Sequence, residues 1–224
     1  MTQTRIDLTG RRYCCFDAYG TLFDVHAAIN RHQDRIGSQS HSVSALWRSK
    51  QLEYSWVYSL CERYQNFWQL TVQALDYALA SFDIKDQALR QDLLDAYSRL
   101  DCYTEVKPTL AELQQQSMGL AILSNGTKAM IDAALQTNGL EQCFDAIITV
   151  ESLQRYKTTP IVYQTMLDKL GIKPKQCLFF SSNRWDIAGA TAFGLDCVWV
   201  NRMKLPDEYP ELAPIAIRPD LTCL

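Results

Sequence analysis

The sequence has no run of apolar residues near the roughly 18 needed to cross a bilayer as a helix, which excludes a membrane span of that kind. Its eight cysteines never fall at CxxC spacing. Its three histidines, His26, His32 and His41, never fall at HExxH spacing. Both zinc signatures are therefore missing, and no metal or other cofactor is expected. No cluster of Lys and Arg forms a phosphate-binding patch and the formal net charge is −3, so nucleic acid is not an expected partner. Met1–Arg12 is polar, with Arg5, Asp7, Arg11 and Arg12 and no apolar h-region. That pattern predicts no signal peptide and a cytoplasmic protein. In such a setting Cys14, Cys15, Cys177 and Cys197, in or beside apolar runs, read as small core hydrophobes rather than disulfides or zinc ligands. Internal repeats and low-complexity tracts are also missing.

What is present is an ordinary soluble composition, 47% hydrophobic and 21% charged over 224 residues. That length allows one or two domains with a sizeable core. Apolar runs at Tyr13–Phe16, Leu120–Leu123, Ala146–Val150, Cys177–Phe180 and Cys197–Val200 are too short for buried helices and predict strands. Between the later runs, helical patterns cover Thr127–Asn138, Ile161–Leu170 and Asp186–Phe193, and each meets a glycine at 139, 171 or 194. Glycine just past the last periodic residue is a common helix stop. Strands alternating with helices predict an α/β protein with a doubly wound, mostly parallel, Rossmann-like sheet.

From about Val25 to Tyr103 no strand pattern is found. Val57, Leu60, Cys61, Tyr64 and Trp68 recur at helical spacing, then Leu75, Leu79 and Phe82, then Leu89, Leu93, Leu94 and Tyr97. The expectation is a helical cap domain over residues 24–104, inserted after strand one and lying over the strand ends. Residues 1–23 and 105–224 would form the α/β core domain. The tail after Asn201 carries Pro206, Pro210, Pro214 and Pro219 and is expected to run extended over the core surface.

Ligands of open α/β sheets bind outside the carboxyl ends of the strands. That rule selects Asp17 after the first run, Ser124, Asn125 and Gly126 after the second, and Arg155, Tyr156 and Lys157 after the third. It also selects Ser181, Ser182 and Asn183 after the fourth, with Asp186 one helical turn on. Two carboxylates, one Lys and several hydroxyl or amide groups then converge on one edge. An Asp that ends an apolar run can equally cap a helix or a turn. A lone Lys is more often solvated. If Lys157 does approach Asp17, it favours the ionised carboxylate.

The segments FDAYGTLFDV, SALWRSKQLEY, LSNG, RYK and SSNRWDIAGA follow one another in an order that resembles the haloacid dehalogenase superfamily. Within it they resemble the L-2-haloacid dehalogenases. The resemblance covers nearly the whole chain. Phosphatases of that superfamily carry a second Asp where this chain has Tyr19, and further acids where it has Ser181, Ser182 and Asn183. Tyr19 cannot readily protonate an alkoxide or hold Mg²⁺, an ion that favours carboxylate oxygens. A halide leaves without a proton, so those losses are compatible with dehalogenation.

The resemblance implies that Asp17 attacks C2 of a short L-2-haloacid and forms an ester, which water then opens at the Asp17 carbonyl carbon. Inversion at C2 gives a D-2-hydroxy acid. Lys157 and Thr21 would hold Asp17. Asp186, supported by Asn183 and Ser181, would place or activate water. Ser124 and Asn125 would hold the substrate carboxylate, and Arg48 would receive the halide. Tyr19, Leu52, Phe67 and Trp185 match positions lining an apolar pocket, and Tyr163 matches a residue near the site. On its own, Arg48 also fits a solvated helix Arg, and the aromatic residues fit ordinary packing.

Two departures stand out. Ser49 replaces a frequent Gln beside Arg48, and Lys157-Thr158-Thr159-Pro160 replaces a frequent Lys-Pro-Asp. Other readings remain open: an azetidine-2-carboxylate ring-opening hydrolase using the same attack, an Mg²⁺-dependent phosphatase, and a non-catalytic protein on this fold. The aromatic residues of the insert, Trp47, Trp56, Tyr58, Tyr64 and Trp68, suggest a homodimer interface, which the resemblance also implies.

Overall fold

The computed structural model describes residues 5–222. Among them, β1 (Tyr13–Phe16), β2 (Gly119–Ser124), β3 (Ala146–Thr149), β4 (Cys177–Ser181), β5 (Asp196–Val200) and β6 (Ala216–Arg218) form one sheet in the order β3-β2-β1-β4-β5-β6. Every pairing is parallel. β1 and β4 are central, and their inner residues are wholly buried, with Phe16 stacked on Phe180 at 4.9 Å between ring centroids. The strand order reverses direction between β1 and β4, where a doubly wound sheet opens its ligand crevice. The expected fold class is therefore the one observed, and the cysteines of β1, β4 and β5 are free and buried.

The core helices start and stop where side chains can satisfy their unpaired backbone groups. They are α6 (Val106–Gln115), α7 (Lys128–Asn138), α8 (Pro160–Leu170) and α9 (Arg184–Phe193). Thr127 accepts the Met130 N–H at the start of α7, and Pro160 opens α8, where its missing N–H costs nothing. Gly139 and Gly171 close α7 and α8 with φ of 63° and 61°, a conformation that disfavours a Cβ.

Between β1 and β2 the chain is helical, with α1 (Ala27–Asn30), α2 (Gln33–Ile36), α3 (Ser40–Leu60), α4 (Phe67–Ser81) and α5 (Gln87–Tyr97). The helical spacing read through Val57, Leu60, Cys61, Tyr64 and Trp68 does not correspond to one helix. α3 stops at Leu60, and Asn66 starts α4 with a reciprocal cap to Gln69. The cap satisfies two backbone donors, which outweighs continuing a helix with Val57, Leu60 and Cys61 exposed. The entering and leaving segments of this insert are tied together. Phe23 pairs antiparallel with Cys102, Asp24 N donates to Asp101 O at 3.0 Å, and Tyr103 N donates to Leu22 O at 3.0 Å.

The tail does more than cover the surface. β6, flanked by Pro214 and Pro219, adds a short edge strand beside β5. Prolines are compatible with an edge position because one side of the strand needs no ladder donors.

Candidate active site

Each strand end contributes side chains because the polypeptide leaves the sheet there and turns. After β1 the chain forms a tight turn in which the Gly20, Thr21, Leu22 and Phe23 N–H groups are used internally, and Asp17 N donates to Phe180 O at 2.8 Å. This fixes the Asp17 carboxyl group at the crevice between β1 and β4. Its Oδ2 accepts hydrogen bonds from Thr21 Oγ1 at 3.0 Å and Asn183 Nδ2 at 2.8 Å. Its Oδ1 accepts one from Lys157 Nζ at 3.0 Å.

The Lys157 side chain is fully buried and bridges two carboxylates, with Nζ also 2.8 Å from Asp186 Oδ2. Burial works against the ammonium, but the charges of Asp17 and Asp186 outweigh it and hold the Lys157 pKa above its ordinary value. Asp186 also departs from an ordinary carboxylate. Its complete burial raises its pKa, against the opposing pull of Lys157. Tyr163 Oη donates to the second Asp186 oxygen at 2.9 Å. Burial and that carboxylate together raise the Tyr163 pKa, so the phenol remains a donor.

Ser124 and Asn125 follow β2. Lys157 N donates to Asn125 Oδ1 at 3.0 Å, which orients the amide. Asn125 Nδ2 is buried with no protein acceptor, an unspent donor on the amide that holds the Lys157 backbone. Ser124 Oγ accepts from Gly126 N at 3.0 Å, leaving its hydroxyl proton available. A Cβ on Gly126 would lie 2.7 Å from the Tyr19 ring, so the missing side chain lets that ring pack against the turn.

Two expected contacts do not form. Asn183 does not support Asp186 through its side chain. Its Nδ2 points to Asp17 and to Tyr19 O at 3.2 Å, while its Oδ1 receives Arg48 Nη2 at 3.3 Å. Asn183 starts α9, and its side chain turns back across the crevice to these stronger partners. Ser181 Oγ is used to accept Asn183 N at 3.1 Å. Lys157 and Tyr163 hold Asp186 in their place.

From the insert, Arg48 on α3 reaches into the same space and also donates to Tyr19 O at 3.4 Å. Leu52 is half-buried one turn later on that helix. Tyr19 and Phe67 lie 6.1 Å apart between centroids, and Tyr97 stacks on Tyr19 at 5.8 Å. Trp185 stands apart from this cluster. It packs edge-on against Trp56 and lines an open cavity of about 880 Å³ with Tyr156 and Phe193, a cavity that Lys157 also lines.

Gln51, Thr71 and Tyr97 were not among the expected site residues, although all three are buried, Gln51 against Arg48, Tyr97 on Tyr19 and Thr71 behind Gln51. The available signal was weak: Gln51 stands three residues after Arg48, on a neighbouring helix face. Ser49, the departure noted beside Arg48, is exposed. Among the described residues no group of three or more His, Cys, Asp or Glu side chains is placed to hold a metal ion.

The arrangement offers a carboxylate with fixed donors, a second carboxylate held by an ammonium, a free amide donor and a guanidinium from the insert. The family model for haloacid dehalogenase-like hydrolases matches residues 12–194. The chain is 46% identical over 199 residues to (S)-2-haloacid dehalogenase 1 of Pseudomonas sp. strain CBS-3, covering 88% of each chain. A crystal structure of a dehalogenase with an intermediate complex superposes with a TM-score of 0.93 at 40% identity, covering 95% of each chain. The L-2-haloacid dehalogenase of Xanthobacter autotrophicus with chloropropionic acid covalently bound superposes at 0.83 with 32% identity, covering 94% of this chain and 95% of that one. With Asp17 seated at the sheet's switch point, the chain belongs to the haloacid dehalogenase-like hydrolases and, within them, to the group of the (S)-2-haloacid dehalogenases.

Proposed function

We propose that this protein hydrolyses the carbon–halogen bond of short L-2-haloacids and that Asp17 is its covalent nucleophile. The observation that carries the reading is Asp17 itself, a nearly buried carboxylate held by Lys157, Thr21 and Asn183. Oδ2 has both in-plane lone pairs engaged, whereas Oδ1 has one partner and keeps the freer pair. Oδ1 is the atom we assign to attack. Its lone pair forms the bond to C2 while the C2–halogen bond breaks and its electrons leave with the halide.

Arg48 receives the halide and steers the anionic substrate. Asn125 Nδ2 and the Ser124 hydroxyl bind the substrate carboxylate, as preorganised donors with no other partner to give up. Tyr19, Leu52 and Phe67 bound the apolar side of the substrate. Trp185 belongs with them by resemblance, and its sharing of an open cavity with Lys157 supports that reading.

In the second step Asp186 accepts a proton from water, whose oxygen attacks Cγ of the esterified Asp17. The ester bond between Cγ and the alkoxy oxygen breaks, and the departing alkoxide takes up the proton held by Asp186. The D-2-hydroxy acid leaves with an oxygen that belonged to Asp17, whose re-formed carboxyl group gives its remaining proton to solvent. Tyr163 and Lys157 keep Asp186 aimed. No cofactor takes part in this scheme. The Lys157 ammonium lies between the two carboxylates and supplies the positive charge there. Arg48 favours a departing anion over the ring ammonium of an opened azetidine.

Residues 24–104 act as the cap, since they carry Arg48 over the strand ends. We read the enzyme as a cytoplasmic homodimer. Its free cysteines suit a reducing compartment, and the exposed Trp56, Val57 and Leu60 on α3 suit a second copy. Among the described residues no helix is long and apolar enough to cross a membrane.

The test is a single turnover of 2-chloropropionate in ¹⁸O water with excess enzyme. The label should appear in the Asp17 peptide and not in the first hydroxy acid. Label in the product alone would remove the ester route.

A further inference from the structure

We propose that Gln51 is a positioning residue that aims the Arg48 guanidinium at the departing halide, with Thr71 setting the orientation of its amide; this rests on the halide-receiving role given to Arg48 above. Gln51 is 1% exposed on α3 and lies deep in the insert. A buried amide is costly unless each of its polar atoms is used. Here they are used in a way that permits one orientation.

Thr71 Oγ1 donates its only proton to Phe67 O at 2.7 Å. Towards Gln51 it can therefore act only as an acceptor, and Gln51 Nε2 lies 2.6 Å away. The amide nitrogen must face Thr71, so Oε1 faces Arg48, where it accepts from Nη1 at 2.7 Å. Tyr97 Oη lies 3.0 Å from Nε2 and closes the other side. Thr71 is fixed in turn, because its carbonyl accepts Trp47 Nε1 at 2.9 Å.

The hold on Arg48 is uneven. Its contact with Gln51 is short, and its contacts with the core, Asn183 Oδ1 at 3.3 Å and Tyr19 O at 3.4 Å, are long. All three contacts share the charge of the guanidinium, so the much shorter one, from the insert side, sets its direction. Gln51 touches no reacting atom and acts through Arg48.

The test separates aiming from packing through the leaving group. Chloride draws more stabilisation from a hydrogen-bond donor than bromide does. A misaimed Arg48 therefore slows ester formation more for 2-chloropropionate than for 2-bromopropionate. Gln51→Met keeps the side-chain length and removes both amide roles. Halide release in single turnovers reports ester formation, and hydroxy acid release reports ester hydrolysis.

Gln51→Met should slow ester formation by about tenfold to a hundredfold with 2-chloropropionate, from the loss of one charge-assisted hydrogen bond. It should slow it less with 2-bromopropionate and leave ester hydrolysis unchanged. Gln51→Glu keeps an acceptor for Arg48 but loses the donor that Thr71 accepts, so it should restore part of the loss. Thr71→Val, which removes the orienting acceptor, should reproduce the halide dependence in milder form and carries the test if Gln51→Met does not fold. Equal slowing of both halides, or of both steps, would overturn the inference. Arg48→Lys, run in parallel, tests the reading beneath it. If that variant shows no halide dependence, the role of Arg48 has failed. If it does and Gln51→Met and Thr71→Val do not, only the role of Gln51 has failed.

Discussion

Replacing Lys157 with Met tests the buried charge triad directly, because Met keeps the length of the side chain and removes its charge. In the native protein the ammonium touches Asp17 at 3.0 Å and Asp186 at 2.8 Å with no exposed side-chain surface. Removing one partner from a buried ion pair costs about 3–5 kcal/mol, since the remaining charge has neither water nor a counterion. That cost has a ceiling. A stranded carboxylate can take up a proton, at about 1.36 kcal/mol for each unit of pH above its ordinary pKa. The ordinary value is 3.8, and burial has already moved Asp186 above it. The ceiling is therefore roughly 6 kcal/mol near pH 8 and roughly 1.6 kcal/mol near pH 5.

The sign follows from linkage. A carboxyl group whose folded pKa is raised favours the folded state below its ordinary value and loses that contribution as pH rises through the folded value. The native Lys157, raised as well, contributes fully below its ordinary 10.5 and loses that contribution only as pH rises through its higher folded value. Between about pH 5 and pH 8 the native side is thus constant with respect to Lys157, and the variant should fall away as pH rises. Urea unfolding at the two pH values should show a loss of about 3–5 kcal/mol at the higher and no more than about 2 kcal/mol at the lower. A loss below about 1 kcal/mol at the higher pH, or an equal loss at both, would refute the reasoning.

Asp186→Asn should form the Asp17 ester and fail to open it, so mass spectrometry should find the acyl fragment accumulating on the Asp17 peptide. The native rate of ester hydrolysis should fall as pH drops through the raised Asp186 value, above 3.8, and hydroxy acid release at the native rate from the variant would refute the assignment. Gly189→Ala places a Cβ 2.5 Å from Thr158 Cβ and 2.8 Å from Tyr163 Oη. Overpacking of that kind should cost about 1–3 kcal/mol in a thermal or urea melt and slow ester hydrolysis by displacing the hydrogen bond to Asp186. Native stability together with a native hydrolysis rate would show that the loop and α9 have room to spare.

Most of the sheet could be read from the sequence because β1, β2, β4 and β5 are buried on both faces and appear as short, nearly continuous apolar runs. Once those runs were placed, the strand-end rule brought Asp17, Asn125, Lys157 and Asp186 together from positions up to 169 residues apart in the 224-residue chain. β6 was not legible. Its Ile217 is exposed, prolines flank it, and it exists because β5 offers an open edge. The break after Leu60 was hidden by apolar residues that kept helical spacing across it. Only the reciprocal cap between Asn66 and Gln69 shows why the chain restarts there. The direction of Asn183 was misread for a related reason. Proximity in sequence put it beside Asp186, whereas the first turn of α9 points it across the crevice to Asp17. Gln51 shows the same difficulty: its role depends on Thr71 and Tyr97, which come from two other helices.

These long-range contacts also explain why the insert cannot be treated as a passive cover. The core alone gathers two carboxylates around a single ammonium, so when all are ionised it presents a net negative charge to an anionic substrate. Arg48 offsets that charge, and α3 supplies it. The same region of the insert steadies the loop that delivers Lys157. Tyr156 N donates to Ser59 Oγ at 3.2 Å, and Tyr156 Oη donates to Gln65 O at 2.6 Å, one residue before the lysine. Both positive charges at the site thus depend on α3, which carries Arg48 in its first half and, with the turn after it, braces the Lys157 loop near its end. A shift of α3 against the core would move the arginine and disturb the support of the lysine's loop, which ties the charge balance of the crevice to the docking of the insert.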